Sequence, residues 1–193
     1  LVDSINKYQI KKTYFFFSST SHVYSYSNKK LHENSKLKGI SKYGKIKILA
    51  EKYIKENNQK YTYCIGRISS LVSEFQKDSF LLINLIKKGK QKKNIFIENS
   101  NIKRNFIYVK DVSNIIIKII KKKIKGILNI SSNEEISMVY IIQLLKKEYN
   151  FKITYKNKHK KHLLLSNKLL CKKIGKFKFT SINSVIKKIY KNL

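Results

Sequence analysis

Tyr43 and Lys47 are the two side chains in this sequence that are best placed for proton transfer. Residues 41–51 are typical of the first turns of a helix, on which residues four apart lie one above the other. An ammonium group held beside a phenol, whose unperturbed pKa is about 10, stabilises the phenolate. Such a pair takes a proton from a hydroxyl group or returns one to a carbonyl group.

The spacing of the pair is not specific by itself. The chain contains 13 tyrosines, and the same spacing recurs at Tyr8 with Lys12 and at Tyr26 with Lys30. The segment upstream of Tyr43 is more informative, since the apolar residues 14–17 lead into a cluster of hydroxyl side chains at 18–20. The apolar run is typical of a buried parallel strand, and open parallel sheets bind ligands at the carboxyl ends of their strands.

Further segments follow in a fixed order: Arg67, residues 104–112 and residues 126–132. In this order and spacing, the chain resembles the extended short-chain dehydrogenase/reductase superfamily, and within it the sugar-nucleotide epimerases, reductases and dehydratases. The resemblance implies an α/β fold: the C-terminal part of a Rossmann-like parallel sheet with a smaller α/β substrate-binding domain. It assigns residues 1–75 to the latter half of the Rossmann domain and 76–193 mainly to the substrate domain, with 104–132 returning to the sheet.

The resemblance also implies roles for the site residues. Tyr43 would be the general acid/base, Lys47 would stabilise its phenolate and bind the nicotinamide ribose, and Thr20 would orient the reacting hydroxyl. The residues expected to contact NAD or NADP are Ser18, Ser19, Tyr43, Lys47, Ile68 and Ser69. Those expected to contact a nucleotide-sugar are Thr20, Ser21, Ser70 and Arg104, the last at the pyrophosphate. Arg67 is expected either at the site or in a structural ion pair.

Dehydratases of the superfamily carry an acidic pair where this chain has Ser21 and His22. Neither residue is a carboxylate, so dehydration is disfavoured, and His22 is interpreted as an incidental loop residue. The activity is therefore expected to be 4-epimerisation or keto-reduction of a nucleotide-diphosphate sugar, and the sequence does not decide between the two.

The sequence contains no glycine-rich turn of the kind that holds a dinucleotide pyrophosphate at a helix N-terminus. The chain is therefore expected to be a piece of a longer enzyme that binds NAD(H) or NADP(H) poorly alone. An alternative is a non-catalytic relative with the same fold. A third hypothesis, a basic nucleic-acid-binding protein, leaves the ordered motifs unexplained.

Several secondary-structure elements follow from periodicity and capping signals. Helices are expected from Tyr43 to about residue 57, over residues 75–88 with Gly89 as the C-terminal cap, over residues 112–122 with Asp111 as the N-terminal cap, and up to about residue 149. Strands are expected over residues 61–68, 94–98 and 127–131.

Composition sets outer limits on function. The net charge is +32, yet the basic residues are spread through every segment, which favours compositional drift over a nucleic-acid footprint. No apolar run approaches the roughly 20 residues that span a bilayer. Two cysteines form neither a disulfide framework nor a metal cluster, so no metal and a cytoplasmic location are expected. The resemblance suggests a homodimer formed through the Tyr43 helix.

Overall fold

The computed structural model describes residues 1–8, 12–98, 101–156 and 162–192. In chain order the elements are α1 (Val2–Tyr8), β1 (Thr13–Thr20), a 3₁₀ turn (Ser21–Val23), α2 (Lys42–Glu56), β2 (Tyr61–Ile68), β3 (Ser70–Val72), α3 (Leu81–Lys90), β4 (Ile95–Glu98), β5 (Lys103–Arg104), β6 (Phe106–Tyr108), α4 (Val109–Lys121), β7 (Gly126–Ile130), β8 (Ile136–Ser137), α5 (Met138–Glu148), β9 (Ile153–Lys156), α6 (Lys168–Ile174) and α7 (Ile182–Asn192).

The main sheet is parallel and has the strand order β1-β2-β7. Thr20 pairs with Ile68, and Ile68 pairs with Ile130, so the three strands end at the same edge. Ile115 and Ile119 of α4 are fully buried and belong to one apolar cluster with Leu128 and Ile130 of β7. This arrangement confirms the expected α/β fold with a Rossmann-like parallel sheet.

A second group of elements is built from short two-stranded pairs. Strands β3 and β6 are parallel, β4 and β9 are parallel, and β5 and β8 are antiparallel. Buried side chains of α3, α5 and α7 form one apolar cluster beside them, including Ile86, Leu145 and Ile189. Burial of such aliphatic side chains is the main stabilising contribution to this part of the chain.

The prediction for the third helix was wrong at both ends. Helix α3 begins at Leu81, because the preceding residues form turns in which the Ser73 hydroxyl accepts the Phe75 amide and Phe80 donates to the Lys77 carbonyl. Gly89 lies inside the helix, which continues to Lys90. A Cβ atom at Gly89 would lie 3.3 Å from Tyr149, so the lack of a side chain at Gly89 allows Tyr149 to pack closely against α3.

The predicted role of Asp111 was also wrong. Helix α4 begins at Val109, so Asp111 is its third residue rather than its cap. The buried Asp111 carboxylate accepts hydrogen bonds from the Thr180 amide at 2.7 Å and from the Thr180 hydroxyl at 3.0 Å. Asp111 therefore anchors the segment that precedes α7, and the two bonded residues are 69 positions apart in the chain.

A buried ion pair joins α2 to the sheet. Arg67 and Glu51 are 2% and 0% exposed, and Arg67 Nη2 lies 2.6 Å from Glu51 Oε2. The Ser19 hydroxyl donates to Glu51 Oε1 at 2.5 Å, and Arg67 Nη1 donates to the Tyr24 hydroxyl at 2.8 Å. Tyr24 in turn donates to Asn129 Oδ1 at 2.7 Å. Arg67 is thus a structural ion-pair residue, the second of its two expected roles.

We expect the Glu51→Gln substitution to lower the free energy of unfolding by about 3–5 kcal/mol, because it leaves the Arg67 charge buried without a counter-charge. Urea unfolding monitored by circular dichroism measures this change. Glu56→Gln is the matched control in the same helix, since Glu56 is exposed and lies 3.9 Å from the exposed Lys52. The control should change stability by less than about 1 kcal/mol. Equal effects of the two substitutions would contradict a structural role for the buried pair.

Candidate functional site

A cavity with a volume of 790 Å³ lies at the carboxyl ends of β1 and β2, beside the first turns of α2. All ten residues predicted for the site line it: Ser18, Ser19, Thr20, Ser21, Tyr43, Lys47, Ile68, Ser69, Ser70 and Arg104. Strand β1 supplies the first three, the 3₁₀ turn supplies Ser21, and α2 supplies Tyr43 and Lys47. The fold therefore brings the predicted residues together around one space, while their individual roles stay predictions.

Lys47 is fixed between β1 and Tyr43. Its Nζ donates a hydrogen bond to the Ser18 carbonyl at 2.8 Å and lies 4.5 Å from the centroid of the Phe17 ring. The same Nζ lies 5.7 Å from the centroid of the Tyr43 ring. A cation at this distance from a phenol ring interacts favourably with it. Tyr43 is 53% exposed, so its side chain is accessible to a ligand at the cavity.

The amino terminus of α2 packs directly on the turn that follows β1. Ser41 is the N-cap, and its hydroxyl accepts the Gly44 amide at 3.0 Å. The His22 Nδ1 lies 3.2 Å from the same hydroxyl, and the His22 amide donates to Thr20 Oγ1 at 3.3 Å. A Cβ atom at Gly44 would lie 2.2 Å from the His22 carbonyl oxygen. This contact leaves no room for a side chain at Gly44, the third residue of α2.

The serine hydroxyls of the cavity differ in their availability. The Ser19 hydroxyl is directed to Glu51, so it is engaged within the protein rather than free for a ligand. The Ser69 side chain is 7% exposed, and its Oγ has no hydrogen-bond partner among the described residues. Because a buried hydroxyl without a partner destabilises the fold, Ser69 is a site where a ligand group would supply the missing bond.

Arg104 lies between this cavity and a smaller one. The smaller cavity has a volume of 280 Å³, and Arg104 and Leu81 line both. Arg104 Nη2 lies 3.3 Å from the Tyr26 hydroxyl, which also borders the smaller cavity. Phe96, which is 59% exposed, lines it too. A guanidinium group between two adjoining cavities suits an anionic group that links two halves of one ligand.

The charge around the larger cavity is positive. The ionisable side chains that line it are His22, Tyr43, Lys47, Lys77 and Arg104, and none of the described lining residues is a carboxylate. Burial, together with the nearby Arg104 guanidinium, lowers the pKa of His22 below its ordinary value. The imidazole is therefore neutral at pH 7.

Sequence reasoning missed one wall of the cavity. Four large apolar side chains line it and are at least 38% exposed: Leu71, Phe75, Phe80 and Leu81. The prediction of a helix over residues 75–88 is the reason, because it assigned to a helix three residues that lie before α3 or in its first turn. The prediction that His22 is incidental also overlooked its bond to Ser41, which lies 19 residues away.

No helix in the described part of the chain is long and apolar enough to cross a membrane. Those same residues contain no group of three or more His, Cys, Asp or Glu side chains that could hold a metal ion. Cys64 and Cys171 are both free.

Comparison with known proteins relates this geometry to a family. A family model described as the NAD dependent epimerase/dehydratase family matches residues 1–131. A putative UDP-glucose 4-epimerase from Methanocaldococcus jannaschii is 30% identical over 159 residues, which are 79% of this chain and 52% of that protein. The chain thus spans about half the length of this curated relative.

Solved structures share the fold. The UDP-glucose 4-epimerase of Thermotoga maritima, crystallised with UDP-glucose, has a TM-score of 0.86 at 21% identity, covering 100% of this chain and 66% of its own. The UDP-glucuronic acid 4-epimerase of Bacillus cereus, with UDP-glucuronic acid and NAD, has a TM-score of 0.86 at 21% identity, covering 100% and 64%. RMD from Pseudomonas aeruginosa, complexed with NADPH, has a TM-score of 0.87 at 18% identity, covering 100% and 70%.

We expect the Gly44→Ala substitution to lower the free energy of unfolding by about 1–3 kcal/mol, as overpacking does. Helix propensity alone would make alanine stabilising by about 1 kcal/mol, so the sign of the change isolates the contact with His22. Urea unfolding measures it, with Lys45→Ala at the exposed neighbouring position as the control. The close approach would be refuted if Gly44→Ala were as stable as the wild type or more stable.

Proposed function

This chain belongs to the NAD-dependent epimerase/dehydratase family, and we propose that it carries the catalytic site of a nucleotide-sugar 4-epimerase or keto-reductase. The observation that carries the proposal is the meeting of Thr20, Tyr43 and Lys47 at one cavity at the carboxyl edge of the sheet. The whole protein's activity is part of the proposal, because the chain spans only about half of its curated relative.

Tyr43 is the proposed general acid/base. As the phenolate it removes the proton from a sugar hydroxyl, and as the phenol it returns a proton to the corresponding ketone. Lys47 stabilises the phenolate, since its ammonium group is held near the Tyr43 ring by the Ser18 carbonyl. Thr20 orients the reacting oxygen through its hydroxyl. An epimerase uses both proton transfers in one turnover, whereas a keto-reductase uses only the return of the proton.

The cavity also fits the nicotinamide end of NAD or NADP. The unpartnered Ser69 hydroxyl is suited to a carboxamide group, and the exposed apolar wall formed by Leu71, Phe75, Phe80 and Leu81 is suited to a flat ring. Lys47 would contact the ribose, together with Ser18 and Ile68. When bound, such a cofactor supplies the hydride acceptor and donor for the sugar carbon. The choice between NAD and NADP is left to the experiment.

The nucleotide part of the substrate is proposed to extend past Arg104. With the sugar beside Tyr43, the diphosphate would meet the Arg104 guanidinium, and the base would enter the smaller cavity beside Phe96. Ser21 and Ser70 line the sugar end. The absence of carboxylates among the described lining residues supports an anionic ligand, because no group there would repel its phosphates.

The proposed state of the protein is a homodimer formed through α2. The exposed face of this helix carries Ile46, Leu49 and Tyr53, which are 55%, 67% and 45% exposed. Residues three and four apart form one stripe, and contiguous exposed apolar surface marks interaction sites. The net charge of +32 opposes self-association, so a dimer formed by this face should strengthen as salt screens the repulsion.

Leu49→Glu should therefore yield a monomer where the wild type dimerises. Sedimentation velocity at low and at 0.5 M salt measures the change, with Ile117→Glu as the control, since Ile117 is 50% exposed on α4. A wild type that stays monomeric at high salt, or a dimer unaffected by Leu49→Glu, would rule out this face.

Tyr43→Phe should reduce turnover by about 10²–10⁴-fold, because the phenol proton is lost while the ring is kept. The assay supplies NAD(H) or NADP(H) with UDP-glucose, UDP-glucuronic acid or a 4-keto nucleotide-sugar, and the products are resolved by NMR. A new diastereomer without net cofactor consumption indicates an epimerase, and consumption of reduced cofactor indicates a keto-reductase.

The matched control is Tyr140→Phe, which removes the hydroxyl of an exposed tyrosine on α5 that donates to Asn183 Oδ1. The control should retain wild-type turnover. If the wild type binds both UDP and NAD(H) or NADP(H) yet turns over none of these substrates, the enzymatic proposal fails and the chain is a non-catalytic relative with the same fold.

A further inference from the structure

His22 is a titratable side chain of the cavity that the expected roles leave unused. Its half-buried imidazole lines the same space as Tyr43 and Lys47. The His22 and Tyr43 rings meet edge to face, with centroids 6.3 Å apart and an interplanar angle of 75°. A group so close to the proposed acid/base affects its position and surroundings.

The backbone of His22 links two elements of the site. Its amide donates to Thr20 Oγ1 at the end of β1, and its carbonyl accepts the Ile40 amide at 3.0 Å just before α2. Its carbonyl oxygen is also the atom that excludes a side chain at Gly44. His22 is therefore packed between the residue that would orient the reacting hydroxyl and the helix that carries Tyr43.

The side chain extends this link through the cap of α2. Ser41 Oγ accepts the Gly44 amide and has one proton of its own to give. In a neutral His22 whose proton is on Nε2, Nδ1 accepts that proton, so both bonds of the Ser41 hydroxyl are satisfied. We assign this tautomer from the hydrogen-bond pattern.

Protonation of His22 disrupts the pattern. An Nδ1–H group would donate to Ser41 Oγ instead of accepting from it, so the Ser41 proton would lose its acceptor. The new cation would also face the positive end of the α2 dipole. The other ionisable groups that line the same cavity are Arg104 from β5, Lys77 from the segment after β3, and Lys47 and Tyr43 from α2. None of them is a carboxylate that would stabilise an imidazolium.

We propose that His22 is a positioning residue whose neutral imidazole holds the amino terminus of α2, and with it Tyr43, in place against the end of β1. Protonation of the imidazole reverses the bond between His22 Nδ1 and Ser41 and places a positive charge at the amino terminus of α2, so the site keeps its geometry only above the pH at which His22 titrates. The inference rests on the proposed function only in that Tyr43 is the group being positioned.

The direction of the pH dependence follows from linkage. Because the pKa of His22 is lowered in the folded protein, the unfolded chain binds the proton more readily. The contribution of the neutral His22 to stability is complete above about pH 6.5, the unfolded pKa. It declines as the pH falls below that value, until the folded protein also takes up the proton.

The test uses NMR of the protein labelled with ¹³C-tyrosine, titrated from pH 8 to pH 5 without nucleotide or cofactor. Tyr43 is assigned by the loss of its signal in Tyr43→Phe. In the wild type its ring signals should shift with an inflection below pH 6.5. His22→Gln, whose amide can still bond Ser41 but does not titrate, should lose that inflection. His32→Gln, at an exposed loop position, should keep it.

Ser41→Ala separates positioning from simple proximity, because it keeps the imidazole beside Tyr43 but removes its link to the helix. The Tyr43 inflection should then shrink while His22 still titrates. A wild type without the inflection, or one whose inflection persists in His22→Gln or is unchanged in Ser41→Ala, would overturn the proposal. None of these outcomes depends on turnover or on nucleotide binding, so they are independent of the proposed enzymatic function.

Discussion

The buried pair of Arg67 and Glu51 is the interaction on which the site depends. A guanidinium and a carboxylate removed from water are stable only if nearly every donor and acceptor is satisfied. Here Ser19 and Tyr24 supply further bonds, and Tyr24 passes the connection to Asn129 on β7. The pair therefore joins three strands to α2 at one point. Because Ser19 directly follows Ser18, the same point also fixes the carbonyl that holds Lys47.

The cavity lies between the ends of the main sheet and an irregular, exposed segment. Its floor is the aligned ends of parallel strands, whose backbone bonds fix each position. Its outer wall is the irregular segment between β3 and α3, with the exposed Phe75 and Phe80. Ligand sites commonly combine pre-formed polar groups with adaptable apolar surface. In the proposed complex, the strand ends would present polar atoms such as Ser69 Oγ and the irregular segment would supply apolar contacts to the ligand.

The features that could be predicted from the sequence are those that depend on local sequence patterns. The apolar run before Ser18 and the Tyr43–Lys47 spacing located both sides of the cavity, and the parallel sheet and the family were confirmed. Two of the contacts that were missed are long-range. The sequence predicts Asp111 as a helix cap, and its actual partner Thr180 could not be found from local patterns because it is distant in the chain. The Ser41 partner of His22 was missed for the same reason. The start of α3 was misplaced because hydrogen-bonded turns between neighbouring residues precede Leu81.

Three residues of α2 show a gradient of burial: Tyr43 is 53% exposed, Lys47 is half-buried and Glu51 is 0% exposed. They lie at intervals of four residues, so they share one stripe of the helix. The stripe thus runs from solvent into the protein interior, and each side chain lies in a progressively lower dielectric. Insertion of a single residue between Lys47 and Glu51 would rotate Tyr43 by about 100° relative to the buried anchor. The length of this segment is therefore fixed by geometry, even where its exposed residues are free to vary.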